Sequence, residues 1–429
     1  MKILYNVQVS NTTVDEEGNF KWLLRNDACF NIAMGISECL LNLDEDLEIT
    51  LKLPRLEDVY DIEDYLELPL FKNNYNFHIY EDKIPISPVT SRFHFNMYQH
   101  SKHINFFKQF DCIINDENTL TKNWRTFFNM IVKKDIPIIS TNYFLDSPIA
   151  KKVPEKIRYY ERQMESFINS DIVAFQCTDS KREALEACSL LYNEDVIKMI
   201  EAKSSVWGVG VHAKEIKEYN TDISSKIPII YFGNRITESV NRYTNWHIYS
   251  EAIGEISNYC DIPFEAWILN PTRKITDEQR KEIMEKSDYQ MSMIENDTVF
   301  TRENYLEFIN KADIGVSLFT TEVHGGVTHC EALLAENILI SPKINNYKKK
   351  FEGWDYPFLC DYDKSNPNKI PVVASLVNKI VKALEIWQND NNKFKYYQKM
   401  CKMIGYETES YEKASERIMD DIKKVTEGK

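Results

Sequence analysis

The sequence predicts an α/β protein made of two doubly wound parallel sheets. Short apolar runs rich in Ile and Val alternate with helical patterns along all 429 residues. That alternation is the signature of parallel strands covered on both faces. A polar stretch at 211–226 breaks the pattern, and a fresh strand begins straight after it. At 43% hydrophobic the chain can bury two cores rather than one.

The elements follow in order. In the first half the strand candidates are KILYNV near the start, LEITLKL at 47–53, DCIIN at 111–115, IPIIST at 136–141 and DIVAFQC at 171–177. The second half offers IPIIYFG at 227–233, FEAWILN at 264–270, DIGVSLF at 313–319 and ILISP at 338–342. Helical periodicity falls at 26–43, 159–169, 180–192 and 245–257. The expected domains are 1–212 and 213–404, with a C-terminal helix within 405–429 packing back on the first. Ligands of such folds bind at the C-terminal ends of the strands.

Bulk properties narrow the function. No run approaches the ~18 apolar residues of a membrane span. The start, MKILYNVQVSNTT, reads as a strand rather than a signal peptide. The expectation is a cytoplasmic protein. Nine cysteines without a CxxC pair read as reduced, mostly buried thiols. The net charge of −14 disfavours a general nucleic-acid coat.

Two windows, 83–110 and 118–134, nevertheless hold no Asp or Glu. They combine Arg92, Lys102, His103 and Arg125 with Trp124 and several Phe. One reading is a basic, aromatic acceptor face; the other is ordinary surface over core aromatics.

The chemistry centres on 312–342, ADIGVSLFTTEVHGGVTHCEALLAENILISP. It reads as a strand, a polar loop with Gly325 and Gly326, a helix opening near Thr328, and a second strand. A glycine loop feeding a helix N-terminus suits a phosphate-bearing ligand. Glu331, in the first turns, can accept hydrogen bonds from sugar hydroxyls. Upstream, Gly233 ends a strand in IIYFGNR, where a backbone can approach a ligand closely. Arg235, Arg242 and His247 could neutralise a diphosphate there; alternatively they are solvated charges and a helix-start cover.

Other chemistries lack their motifs. No Walker loop, GxSxG or GxGxxG occurs. His324 and His329 are off the spacing that shares a helix face, so no metal ligand is assigned. The run Asp44-Glu45-Asp46 reads as a solvated turn.

These segments, in this order, resemble the GT-B glycosyltransferases, in particular the retaining group with paired glutamates. INSDIVAFQCTDSKREAL at 168–185, SVWGVGVHAKEI at 205–216, IIYFGNR and residues 305–335 carry the resemblance. It implies two Rossmann-like domains with a cleft between them. By position, Glu331 would bind donor ribose, and Glu322 would face the transferred sugar. His324, Gly325, Gly326 and Thr328 would line the donor, with Gly233 and Arg235. Arg242 and His247 would stand against the diphosphate. Asn142 and Asp146 follow the IPIIST strand, where the group has an acceptor-side His-Asp.

The departures are specific. Glu322 and Glu331 are separated by eight residues, one more than usual. His247 replaces a lysine, and Glu336 a glycine. The resemblance implies hexosyl transfer with retention from a nucleotide sugar, UDP-glucose first, with no further cofactor.

A narrower similarity joins RYTNWH at 242–247 and THCE at 328–331 to phage DNA α-glucosyltransferases. It implies hydroxymethylated pyrimidines in DNA as acceptor, with a bacterial polysaccharide or glycolipid as the alternative. A third possibility is a nucleotide-sugar binder without turnover.

Overall fold

A computed structural model describes residues 1–7, 12–14, 20–22, 28–55, 76–83, 95–142, 160–208, 210–218, 227–234, 236, 244–270, 275–288, 290–295, 302–320, 326–366 and 370–427. The chain divides into two compact units. Unit 1 comprises Met1–Gly208 with Ala414–Lys429, and unit 2 comprises Val209–Lys413.

Unit 1 is built on seven strands: β1 (Lys2–Asn6), β4 (Glu48–Arg55), β5 (Phe77–Lys83), β6 (Cys112–Asn115), β7 (Ile138–Asn142), β8 (Ile172–Phe175) and β9 (Ser204–Val206). Their order is β5-β4-β1-β6-β7-β8-β9 and every pairing is parallel. The strand cores CIIN and IVAF are buried at every position, because helices cover both faces. A separate hairpin pairs β2 (Thr12–Val14) with β3 (Phe20–Trp22).

Helix α1 (Ala28–Leu43) follows the hairpin, and α2 (Tyr160–Asn169) precedes β8. The acidic run after α1 is a solvated turn, in which the Asp46 N–H donates to Asp44 Oδ1 at 3.0 Å.

The last residues of the chain are tied to unit 1 by polar contacts. Trp207 Nε1 donates to Asp421 Oδ2 at 2.8 Å, and Arg417 Nη1 donates to the Trp207 carbonyl at 2.8 Å.

Unit 2 carries six strands: β10 (Ile229–Phe232), β11 (Glu265–Asn270), β12 (Met291–Glu295), β13 (Ile314–Val316), β14 (Ile338–Pro342) and β15 (Leu359–Cys360). They run parallel in the order β12-β11-β10-β13-β14-β15. The helices of this half of the chain include α3 (Trp246–Ile256), α4 (Arg302–Lys311), α5 (Gly326–Leu334), α6 (Asn345–Lys350), α7 (Val373–Asn389), α8 (Asn391–Glu409) and α9 (Tyr411–Glu427), the last lying mostly in unit 1. None of the described helices is long and apolar enough to cross a membrane. All nine cysteines are free, and eight are buried.

In both sheets the strand order reverses once, between β1 and β6 and between β10 and β13. Loops leaving neighbouring strands on opposite sides of such a point open a crevice at the carboxyl ends. Behind the second crevice, α8 packs closely on α5 through Gly405. A Cβ at Gly405 would lie 2.7 Å from Leu333 Cβ and 3.2 Å from the Leu334 nitrogen. Gly405→Ala is therefore expected to force the helices apart and cost about 1–3 kcal/mol, read as a lower urea midpoint at unchanged slope.

Candidate functional site

The second sheet's reversal point brings together Asn234, Thr328, Tyr305 and Glu331. Strand β10 ends at Phe232, and Gly233 and Asn234 follow. A Cβ on Gly233 would sit 3.1 Å from Tyr231 Cε2 and 3.3 Å from the Tyr305 hydroxyl. The glycine thus leaves room for Tyr305 of α4. That hydroxyl donates to Glu331 Oε2 at 2.9 Å, fixing a carboxyl that is only 1% exposed.

Tyr231 lies beside the same carboxyl. Burial first, and the Glu331 charge second, push its phenol well above the ordinary range, so it stays protonated.

Helix α5 opens at Gly326, two residues before the expected start. Its third residue, Thr328, donates from Oγ1 to Asn234 Oδ1 at 2.6 Å. Asn234 is 4% exposed, and its Nδ2 is buried without a partner among the described residues. The loop from β13 toward α5 is pinned by Asn245, whose Nδ2 donates to the Leu318 carbonyl at 2.7 Å and to Thr320 Oγ1 at 3.1 Å. Asn245 holds a left-handed backbone (φ 53°), which asparagine tolerates better than most residues.

The far side of α5 rests on a buried ionic cluster. Lys350 at the end of α6 forms an ion pair with Glu409 at the end of α8, both side chains 3% exposed. The Lys350 ammonium also donates to His329 Nε2 at 2.5 Å. The Cys330 thiol donates to Glu409 Oε2 at 3.4 Å, and burial holds it protonated. His329, Cys330 and Glu409 have the geometry of a metal ligand set, their ligand atoms lying within 4.8 Å of one another. The ammonium of Lys350 already supplies the positive charge there. Helix α5 is thus held on three sides, by Asn234, Tyr305 and the Lys350–Glu409 pair.

His247, expected as a cation, differs from that expectation. It is half-buried in the first turn of α3. Burial, then Lys286, lower its pKa against the opposing pull of Glu282 and Glu251, so the ring is neutral near pH 7. Its Nδ1 is buried without a partner among the described residues. It can offer a hydrogen bond but little charge.

The unfolded chain binds this proton more readily than the folded one. Stability is therefore present above the ordinary imidazole pKa and is lost as pH falls from there through the lowered folded value. Thermal melts at pH 7.5 and pH 5.5 should show a larger fall for wild type than for His247→Gln.

The first sheet's reversal point is polar and buried. Asn6 Nδ2 donates to Asn115 Oδ1 at 2.6 Å, and Asn115 Nδ2 to Thr121 Oγ1 at 2.9 Å. Beyond β6 lie Asp116, Glu117 and Asn118, at 2%, 5% and 6% exposure. Thr141 Oγ1 donates to Asp116 Oδ1 at 2.8 Å. Asn142, an expected acceptor residue, ends β7 here. Its Oδ1 accepts from Asn118 Nδ2 at 3.0 Å and Gln163 Nε2 at 2.9 Å, while its Nδ2 finds no partner among the described residues. Asp116 and Glu117 carry one signal in the sequence, two acids directly after an apolar strand in CIINDEN.

The basic-aromatic face is corrected. Trp124, Phe107 and Phe127 are fully buried in one core cluster. His100 stacks on Trp124 with ring centres 5.3 Å apart. Trp124 cannot face an acceptor.

Arg125 is a structural clamp. It pairs with Asp171 and Asp135 and caps the carbonyls of Asn169 and Ile136. Those groups precede β7 and β8, at the end of the sheet opposite the reversal crevice. Of the basic set, Lys102 and His103 stay exposed, with the Lys102 ammonium 4.5 Å from the Tyr98 ring centre. Arg92, Asp146, Arg235, Arg242, Glu322, His324 and Gly325 lie outside the described residues.

No family model and no curated protein matches the chain. Solved structures match over its whole length. A glycosyltransferase from Rickettsia africae ESF-5 superposes with a TM-score of 0.64 at 13% identity, covering 100% of this chain and 99% of that one. Anabaena HepE in complex with UDP and glucose gives 0.61 at 11% identity, covering 99% and 100%. An α,α-trehalose-phosphate synthase (UDP-forming) from Burkholderia xenovorans, in complex with glucose-6-phosphate, gives 0.59 at 9% identity, covering 98% and 99%. At such identities the likeness is one of fold. With its two parallel-sheet α/β units, the chain has the GT-B fold of these glycosyltransferases.

Proposed function

We propose that the chain is a glycosyltransferase that takes a hexose, glucose first, from a nucleotide diphosphate donor and passes it to a hydroxyl acceptor. The observation that carries this reading is the reversal point of the second sheet. There the N-terminus of α5, the space at Gly233 and the Tyr305-held Glu331 converge. A helix N-terminus and a buried hydrogen-bond donor suit a diphosphate. A fixed carboxyl one turn further in suits the vicinal hydroxyls of a ribose.

In this reading unit 2 holds the donor. Its helix dipole and donor groups stabilise negative charge as the glycosidic bond breaks. Unit 1 holds the acceptor near Asp116, Glu117 and Asn142, whose carboxyl and amide groups match a polyhydroxylated ligand. The transferred sugar keeps its anomeric configuration.

A hydroxymethylated base in DNA loses one of its supports as acceptor, because Trp124, Phe107 and Phe127 of the supposed acceptor face are core. The test is direct. Purified protein is given UDP-glucose with water, with saccharide acceptors and with hydroxymethylated duplex DNA, and UDP release and product anomer are read by NMR. Glucose transfer or UDP release supports the proposal. Tight UDP binding without turnover under every condition would leave a binding protein in its place.

A further inference from the structure

We propose that the outward face of helix α8 is a docking surface for an anionic lipid bilayer. The proposal goes beyond the nucleotide-sugar reading and stands independently of it.

The first observation is charge. Residues 391–406, NNKFKYYQKMCKMIGY, hold four lysines and no acidic residue, in a chain of net charge −14. Lys393, Lys395 and Lys399 are exposed, and none of them forms an ion pair with another described residue. Lys402 is held by Glu336. On α8 and its cap, acids stand only at the two ends. Asp390 accepts from the Lys393 N–H at 3.0 Å, Glu407 is exposed in the last turn, and Glu409 is buried.

The second observation is an exposed apolar stripe on the same side. Phe394, Tyr397, Met400, Cys401 and Ile404 are buried within unit 2, where the helix packs on α5, α7 and β14. Opposite them, Tyr396, Met403 and Tyr406 are 54%, 43% and 38% exposed. Positions 396, 399, 403 and 406 are spaced by three and four, so they line one face of the helix. The Lys413 ammonium, 5.9 Å from the Tyr406 ring centre, extends the stripe past its end. One exposed apolar side chain needs no explanation, but a row of them marks a contact surface.

The partner must be flat, anionic and apolar just below its surface. A helix of 19 residues presents this strip over roughly 28 Å. An anionic bilayer meets all three conditions. Lysine ammoniums face lipid phosphates, while tyrosine and methionine enter the boundary between headgroups and acyl chains. Nucleic acid would satisfy the lysines and offer nothing to Met403.

The experiment is flotation of the full chain with phosphatidylcholine vesicles, with and without phosphatidylglycerol, at low and high salt. The anionic vesicles should bind in low salt and release most of the chain in high salt, while the neutral ones bind little. Lys395→Gln with Lys399→Gln should weaken binding by about 25-fold, about fivefold for each lysine. Tyr396→Ser with Met403→Ser should weaken it by about tenfold. The same charge change elsewhere, Lys198→Gln with Lys281→Gln, should leave binding within about twofold of wild type. All these positions are on the surface, and thermal melts should match wild type.

Failure to bind anionic vesicles would overturn the proposal, as would equal losses in the α8 lysine variant and the control. Tighter binding to duplex DNA than to vesicles would assign the face to nucleic acid instead. A dimer in solution that the α8 variants dissolve would assign it to a second copy of the chain, again against the proposal.

Discussion

Lys350→Met should lower the stability of the chain by about 3–5 kcal/mol, the usual consequence of removing one partner of a buried ion pair. Glu409 and His329 share that ammonium, and both are out of reach of water. Methionine fills the volume but leaves the Glu409 charge buried without its cation. Urea titration should show a much lower midpoint with an unchanged slope. The double variant Lys350→Met with Glu409→Leu should recover most of the loss, because an apolar pair of similar volume pays no desolvation cost. A single variant within about 1 kcal/mol of wild type would show that the pair is not the anchor of α5.

The second large effect concerns turnover. Glu331→Gln preserves shape but turns an acceptor into a partial donor, facing both Tyr305 and the ribose of the proposed donor. The kcat/KM for UDP-glucose should fall by about 100- to 1000-fold, as expected for losing charge-assisted hydrogen bonds. Tyr305→Phe, which removes one hydrogen bond from the carboxyl and leaves the carboxyl itself, should cost about tenfold. Folding of Glu331→Gln should be intact by thermal melt, since the change discards a buried charge. Turnover of Glu331→Gln at the wild-type rate would remove Glu331 from the site.

The fold was legible where the sequence is most apolar. Every strand expected from the sequence is interior to its sheet: β1, β4, β6, β7 and β8 in one, β10, β11, β13 and β14 in the other. Strands β5, β9, β12 and β15, which the sequence did not announce, are the four edges. An edge strand is wetted along one side and mixes charge into its pattern, as FHIYEDK does. Periodicity therefore fades where the sheet ends.

The neighbourhood of Glu331 was readable for a related reason: strand, loop and helix are contiguous there. Its supports were not. Tyr305, Asn234, Lys350 and Glu409 come from four separate elements, and nothing local marks them as partners. The aromatics at 95–128 misled in the opposite direction. Their basic neighbours gave the look of a surface, while the packing of His100 between Phe95, Phe107 and Trp124 makes the segment core.

The bond from Trp207 to Asp421 has a consequence for biosynthesis. Unit 1 is discontinuous: its last piece, Ala414–Lys429, is made after the whole of unit 2. A ribosome adding ~5–20 residues per second needs on the order of tens of seconds to cross that insertion. Meanwhile the nascent first unit waits with Trp207 and the surface near Ile36 unsealed, although Ser415 will later reach the Ile36 carbonyl. Unit 2 can finish first. The order of completion on the ribosome then runs opposite to the order of the sequence, and an early stop codon just before Ala414 would cripple the unit that was translated first.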